Sequence, residues 1–257
     1  MHPNETTRTY EAGLQAFVRT HYFYGQLLDV HHFEQEQSYF NQKRWLLNRL
    51  VLGYGVVCGL DVQPGEDGKS VVVLPGVAID RAGREIVVPT RAQPVPLPPS
   101  PGQETTGSAE PAPCDDGAWA HVCLCFHECE SDPAPVLVGE CGEVEHCVPG
   151  AVRERYRVIV REGKAKPAEC PCCGSDVVSG GRINHQALAI RVTRRCRPVP
   201  ADPCILLANV RLPRGQASVS PNDINITVRP VVYTNHLLYE LVSGMTNATE
   251  DGNGGTY

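Results

Sequence analysis

The chain has 257 residues, of which 42% are apolar, enough to build a hydrophobic core. Its formal net charge of −6 argues against nucleic acid as a partner, because nucleic-acid-binding surfaces are basic. The first residues lack the apolar segment of a secretory signal and no stretch of about 18 apolar residues occurs, so we expect a cytoplasmic protein with no membrane span.

The N-terminal segment is polar and then becomes aromatic. Residues 1–19 predict an arm that orders on a partner. The aromatic segment His21–Tyr24 follows, and Gly25 interrupts it.

The next segment carries the clearest helical pattern of the chain. Asp29 is suited to the N-cap position, because its carboxylate can accept a hydrogen bond from an unpaired backbone N–H group. Phe33, Phe40 and Leu47 repeat at a spacing of seven, and Gly53 is a natural helix stop. The pattern predicts one long amphipathic helix that needs a partner surface and supplies much of the core.

Short β-branched segments separated by turn residues predict strands in the rest of the chain. These segments are Tyr54–Val62, Ser70–Asp80, Arg84–Pro89, Trp119–Glu130, Val152–Glu162, Gln186–Val192, Ile205–Leu212 and Asp223–Val228. Tyr233–Val242 predicts a short terminal helix. The fold class is therefore expected to be mainly β, a β-sandwich or barrel behind one long N-terminal helix, α+β overall.

Composition also predicts how the chain is divided. The arm, residues 1–19, precedes a unit at 20–92 that contains the helix and the first strands. Residues 93–117 are rich in proline and predict a surface loop. The remaining, cysteine-rich β-domain covers 118–242, and a flexible tail covers 243–257.

Twelve cysteines are many for a protein expected in a reducing compartment, where clustered cysteines often hold metal. A structural zinc site needs four thiolate or imidazole ligands. The candidate ligands are Cys129, Cys141, Cys147, Cys170, Cys173 and Cys204. Paired disulfides and free thiols remain alternatives, and Cys123 and Cys125 are expected to be small core residues.

Other polar features have ordinary structural interpretations. His31 and His32 lie at the start of the helix and point in different directions, so hydrogen bonding there is favoured over metal chelation. The arginines at 153, 155, 157 and 161 form a stripe that either docks an acidic partner or is solvated. No phosphate-binding loop, nucleophile elbow or zinc-protease helix is found, so we expect a protein that is not an enzyme.

The run GQLLDVHHFEQEQSY at residues 25–39 resembles the N-terminal signature of the TssK family, baseplate subunits of the type VI secretion system. The residues in register with that signature are Gly25, Leu28, His32, Phe33, Gln35 and Tyr39. The chain also resembles proteins with a Y-F-x-G-Q-L-L motif, encoded beside phage-tail-like contractile injection systems. This motif stands at residues 22–28, and a C-x-x-D-P step stands at Cys129–Pro133.

The resemblance implies a β-sandwich shoulder that trimerises and clamps baseplate wedge proteins. It implies a structural component or adaptor of a contractile particle, with a homo-oligomer, trimer favoured, and wedge or sheath proteins as partners. The expected contact residues are Tyr22, Phe23, Tyr24, Gln26, Leu27, His32, Phe33 and Phe40. A receptor-binding or fibre-like tail protein and a zinc-dependent or thiol enzyme remain the alternatives.

Overall fold

The computed structural model describes residues 14, 16–99, 118–135, 147–167, 177–179, 182–213 and 218–251. Helix α1 spans Val30–Leu47 and continues as a π-helical segment, Asn48–Leu52. It ends at Gly53, whose φ of 85° lies in the left-handed region that glycine adopts readily. Both predicted ends of this helix, Asp29 and Gly53, are confirmed. The other helices are α2, His185–Val192, a 3₁₀ turn, Pro221–Asp223, and α3, Asn235–Asp251.

The described residues form twelve strands. They are β1 Gly55–Gly59, β2 Val62–Pro64, β3 Ser70–Val73, β4 Gly76–Ile79, β5 Glu85–Val88, β6 Val95–Pro96, β7 Ala118–Pro135, β8 Cys147–Glu162, β9 Val178–Ser179, β10 Arg182–Ile183, β11 Ile205–Leu212 and β12 Ile224–Asn225. They form sheets in the orders β1-β4-β5, β2-β3-β6 and β12-β11-β7-β8, and the pair β10-β9. The predicted fold class, mainly β and α+β overall, is confirmed.

One hydrophobic core joins the strands from both halves of the chain. The first half of the chain, from β1 to β5, contributes Val56, Leu60, Val62, Val71, Val73, Ala78, Ile86 and Val88 to this core. Strands β7 and β11 contribute Val122, Leu124, Ile205, Leu207, Ala208 and Val210. Alternate residues of β7 enter this core because successive side chains of a strand point to opposite faces. The proposed units 20–92 and 118–242 therefore bury their apolar surface against each other.

Several predictions differ from the structure in their details. Gln186–Val192 belongs to helix α2 rather than to a strand, because the Asn184 side chain accepts a hydrogen bond from the Ala187 N–H (3.1 Å) and caps a run of good helix formers. Val95–Pro96 pairs with β3 inside the predicted loop. Ser70–Asp80 is divided into two strands, β3 and β4. Helix α3 continues to Asp251, into the predicted tail.

The largest difference concerns helix α1. No residue of Val30–Leu47 is buried, so the expectation that the helix supplies much of the core is wrong. The three sheets close the core without it. Four large apolar side chains of α1, those of Val30, Phe33, Phe40 and Leu47, therefore remain exposed on the surface of the isolated chain.

The turn between β4 and β5 is built around the fully buried carboxylate of Asp80. Its Oδ1 accepts hydrogen bonds from the Ala82 and Arg84 backbone N–H groups at 2.8 and 2.9 Å, and its Oδ2 lies 2.7 Å from the Arg84 Nε and NH2 atoms. The Arg84 guanidinium also lies 4.6 Å from the centre of the Phe126 ring on β7. A buried charge is tolerated only when donors surround it, and here they fix the turn.

We predict that Asp80→Asn lowers the free energy of unfolding by about 3 kcal/mol, because Arg84 is left without its buried partner. Urea denaturation followed by circular dichroism measures the change. Asp67→Asn is the matched control, since Asp67 also accepts backbone hydrogen bonds in a hairpin turn but is exposed. Equal effects of the two substitutions would contradict a special role for the buried carboxylate.

Candidate functional site

The candidate contact region begins at the N-terminus of α1, where Asp29 caps the helix. Its Oδ1 accepts a hydrogen bond from the His32 backbone N–H (3.3 Å) and lies 2.6 Å from the ring Nδ1 of the same histidine. The hydrogen bond from His32 holds the pKa of Asp29 below its ordinary value of 3.8. His32 is therefore a helix-start residue, as its position in the sequence predicts.

The N-terminal segment packs back along α1. Thr20 Oγ1 donates to the His32 carbonyl (3.0 Å), and the Tyr22 hydroxyl donates to Glu36 (2.8 Å). Phe17 and Tyr39 meet edge to face, with ring centres 6.5 Å apart. Residues 17–22 thus lie along one face of α1, while residues 1–13 and 15 of the predicted arm lie outside the described residues.

Most of the predicted contact residues are exposed around this turn and helix. Leu27 is 88% exposed, and Phe33 and Phe40 are 51% and 62% exposed. Tyr22, Phe23 and Tyr24 are exposed as well, whereas Gln26 and His32 are half-buried in local hydrogen bonds. The predicted residues therefore form an apolar surface instead of a core.

A longer stripe runs along α1 and into its π-helical segment, and of its residues the sequence reasoning assigned only Phe33 and Phe40 to the contact. Its residues alternate at spacings of three and four, and every one of them is exposed: Val30, Phe33, Gln37, Phe40, Arg44, Leu47 and Val51. We call these seven residues the α1 stripe. Seven residues turn a helix by nearly two full turns, so the stripe stays on one face over roughly 32 Å. Extending the heptad of Phe33, Phe40 and Leu47 to its intervening positions could have identified it.

Polar contacts attach the C-terminal end of α1 to the β-domain. The Asn48 side-chain amide donates to the Gly83 carbonyl (2.9 Å) and to Glu85 (2.8 Å), and Arg44 pairs with Glu85 at 3.1 Å. A Cβ atom at Gly83 would stand 2.0 Å from the Trp45 carbonyl oxygen, so glycine permits this close approach. The helix is thus held at one end, and the apolar residues of its stripe stay exposed.

The structure places the predicted metal ligands differently from the sequence. Cys204 forms a disulfide with Cys125 across β11 and β7, with Cα atoms 4.4 Å apart, so its sulfur does not hold metal in this structure. Cys147 pairs in register with Pro135, six residues along β7 from Cys129. That separation is roughly 20 Å, too long for one tetrahedral site.

The remaining candidate ligands, Cys141, Cys170 and Cys173, lie outside the described residues, and zinc stays a prediction for them. Within the described residues, no three histidine, cysteine, aspartate or glutamate side chains are grouped to hold a metal ion. Cys123 is buried, as predicted for a small core residue, and burial raises the pKa of its thiol. Cys125 is buried too, but as a disulfide partner.

Two members of the arginine stripe on β8 are used locally. Arg153 pairs with Asp132 at 2.9 Å, and Arg161 pairs with Asp202. These hydrogen bonds hold the pKa values of both aspartates below the ordinary value. Two of the four arginines of this β8 stripe are therefore neutralised within the chain, which weakens the hypothesis that the arginines dock an acidic partner.

Comparison with known proteins finds a distant structural resemblance among solved structures. No protein-family model matches the chain, and no curated protein matches it. A solved structure described as the crystal structure of TssK matches at a TM-score of 0.38 and 13% sequence identity. The match covers 80% of this chain and 41% of the TssK chain, so this chain spans less than half of that protein's length. The comparison supports a distant structural resemblance only.

Within the described part of the chain, no helix combines the length and the apolar character that crossing a bilayer requires.

We predict that His32→Ala raises the pKa of Asp29 toward 3.8, because the side-chain hydrogen bond that lowers it is removed. In the native chain the cap contributes stability above pH 3.8, and this contribution is lost as the pH falls through the lower folded-state pKa. Carboxyl-carbon NMR titration measures the pKa. An unchanged value in the variant would contradict the assignment of the lowered pKa to the His32 ring, while Asp67, whose pKa is lowered by Ser70 instead, serves as the internal control.

We also predict that reducing the disulfide between Cys125 and Cys204 destabilises the fold by about 4 kcal/mol, because the bond closes a loop of 79 residues. The Cys125→Ala/Cys204→Ala variant should show the same loss in urea denaturation. Peptide mapping without reductant should recover the two cysteines in one linked peptide. Recovery of both as alkylated free thiols would show that the bond is absent from the purified protein.

Proposed function

We propose that the chain is a non-enzymatic assembly protein that contacts its partners through the α1 stripe and the aromatic turn before it. The observation that carries this proposal is the exposure of the stripe, whose large apolar side chains the core does not need. Contiguous apolar surface of this kind marks an interaction site in soluble proteins. Covering each large apolar side chain contributes roughly 1.5–3 kcal/mol when it is fully buried.

The form of the stripe favours a helical partner. Spacings of three and four residues allow side chains of one helix to enter the gaps of another. Gln37 and Arg44 interrupt the apolar positions, and polar residues in such a seam fix register and the number of helices at a cost in stability. Arg44 already has a carboxylate neighbour in Glu85, so its charge is partly compensated when the stripe is covered.

The biological setting follows from the sequence resemblance. Residues 22–39 resemble the signatures of TssK and of the Y-F-x-G-Q-L-L proteins, and the exposed residues of the contact region fall within or next to that segment. We therefore propose a structural component or adaptor of the baseplate of a contractile injection particle, assembled in the cytoplasm. A homo-oligomer, with a trimer favoured, and baseplate wedge or sheath proteins are the partners that this role implies.

The double substitution Phe33→Asp/Phe40→Asp tests the proposal. Because both side chains are exposed, we expect the isolated chain to keep its thermal midpoint and circular dichroism spectrum while it loses self-association and co-purification with particle proteins. Light scattering after size-exclusion chromatography measures the mass of the complex. Pull-down from cells that express the particle genes measures partner binding.

Val152→Asp/Ile183→Asp is the matched control, because those side chains are 63% and 58% exposed but lie on β8 and β10. The control should assemble normally. Loss of assembly in both variants would point to charge rather than to the α1 stripe. A wild-type chain that stays monomeric and recovers no particle protein would overturn the proposed function.

A further inference from the structure

A pocket of about 270 Å³ lies beside the C-terminal end of α1, where three separate parts of the fold meet. Tyr54, Leu206 and Pro230 supply apolar lining, and Cys204 places the disulfide at its edge. Arg49, in the π-helical segment of α1, donates a hydrogen bond to the carbonyl of a lining residue, Arg197. The pocket is therefore next to the contact region but is formed by the β-domain.

Three cations line this pocket: Arg81 from the β4–β5 turn, Lys166 after β8 and Arg197 after α2. No carboxylate is among the lining residues, and none of the three cations forms an ion pair with another described residue. Asp202 is close enough for Arg81 to lower its pKa, but its carboxylate is bound by Arg161. A chain with a net charge of −6 thus leaves three positive charges together.

The fold holds part of this arrangement in place. The Arg81 backbone N–H donates to the Pro203 carbonyl (3.1 Å), and its guanidinium lies 5.2 Å from the centre of the Tyr54 ring. A guanidinium over an aromatic face keeps its N–H donors directed outward for an anion. The disulfide of Cys204 fixes the start of β11 beside it.

We propose that this pocket binds a carboxylate carried on a short apolar body, as an acidic residue of a partner polypeptide presents it. Its volume lies below the roughly 300 Å³ at which pockets for drug-sized ligands begin, so it suits one or two side chains rather than a cofactor. The apolar lining receives the carbon chain, and the three cations receive the charge. The site is separate from the α1 stripe and so goes beyond the proposed function.

Methyl NMR of the full chain tests the proposal, with the Ile205 and Leu206 methyl groups as reporters of the pocket lining. Because methyl signals persist in large particles, the measurement works whether the chain is a monomer or an oligomer. The probes are N-acetyl-leucylglutamate amide, its glutamine analogue and inorganic phosphate. We expect saturable shifts with the glutamate peptide, weaker ones with phosphate and none with the glutamine peptide.

The variant Arg81→Gln/Lys166→Gln/Arg197→Gln should weaken glutamate-peptide binding about tenfold, the effect expected from three exposed ion pairs together. The control variant Lys69→Gln/Arg182→Gln/Arg195→Gln removes the same charge from exposed positions elsewhere and should bind normally. Equal weakening in both variants would show an effect of net charge and would overturn the proposal. So would equal binding of the glutamine peptide, or tighter binding of phosphate, which would indicate a site for a free anion.

The titration also separates this proposal from the proposed function. Phe33→Asp/Phe40→Asp removes the apolar contact but leaves the pocket, so it should bind the glutamate peptide as the native chain does. If the glutamate peptide causes no methyl shifts in the native chain, the pocket proposal alone is overturned. If the native chain binds the glutamate peptide but does not assemble with itself or with particle proteins, the proposed function alone is overturned.

Discussion

The buried carboxylate of Asp80 is the constraint on which the rest of the arrangement depends. It holds the β4–β5 turn and the Arg84 side chain, and Arg84 contacts Phe126 of the four-stranded sheet. The same turn presents the Gly83 carbonyl to Asn48 and the Arg81 backbone N–H to Pro203. One desolvated charge, satisfied by several donors, therefore sets the positions of two sheets and the end of α1 relative to each other.

Polar attachment of α1 explains why its apolar side chains are available. A helix of this length is marginal in water without tertiary contacts, and here the Asp29 cap, the contacts of residues 17–22 and the Asn48 contacts stabilise it. None of these contacts uses an apolar residue of the α1 stripe. The helix can therefore form before a partner is present and keep the stripe exposed, which lowers the entropy that must be lost when the partner binds.

The sequence correctly predicted those features of the fold that depend on residues close together in the chain. Asp29 and Gly53 mark the ends of the first helix because capping and positive φ depend on neighbouring residues, and β11 has its predicted bounds, Ile205–Leu212. The pairing of Cys125 with Cys204 could not be predicted, since it joins residues 79 positions apart and spacing does not encode strand register. The exposure of Phe33 likewise depends on how distant strands close the core, and an amphipathic period alone does not say what covers it.

As proposed contact surfaces, the α1 stripe and the cationic pocket have complementary properties. Apolar burial supplies most of the free energy of association but has no direction, and a heptad-spaced stripe tolerates displacement by whole repeats. A charged pocket adds little affinity when it is exposed, yet it excludes partners whose carboxylate is misplaced. Because the Arg49 side chain joins the end of α1 to Arg197 at the pocket, a partner that covers the stripe and reaches the pocket has its register along α1 fixed by charge. In the proposed contact, affinity comes from the helix, and register comes from the β-domain.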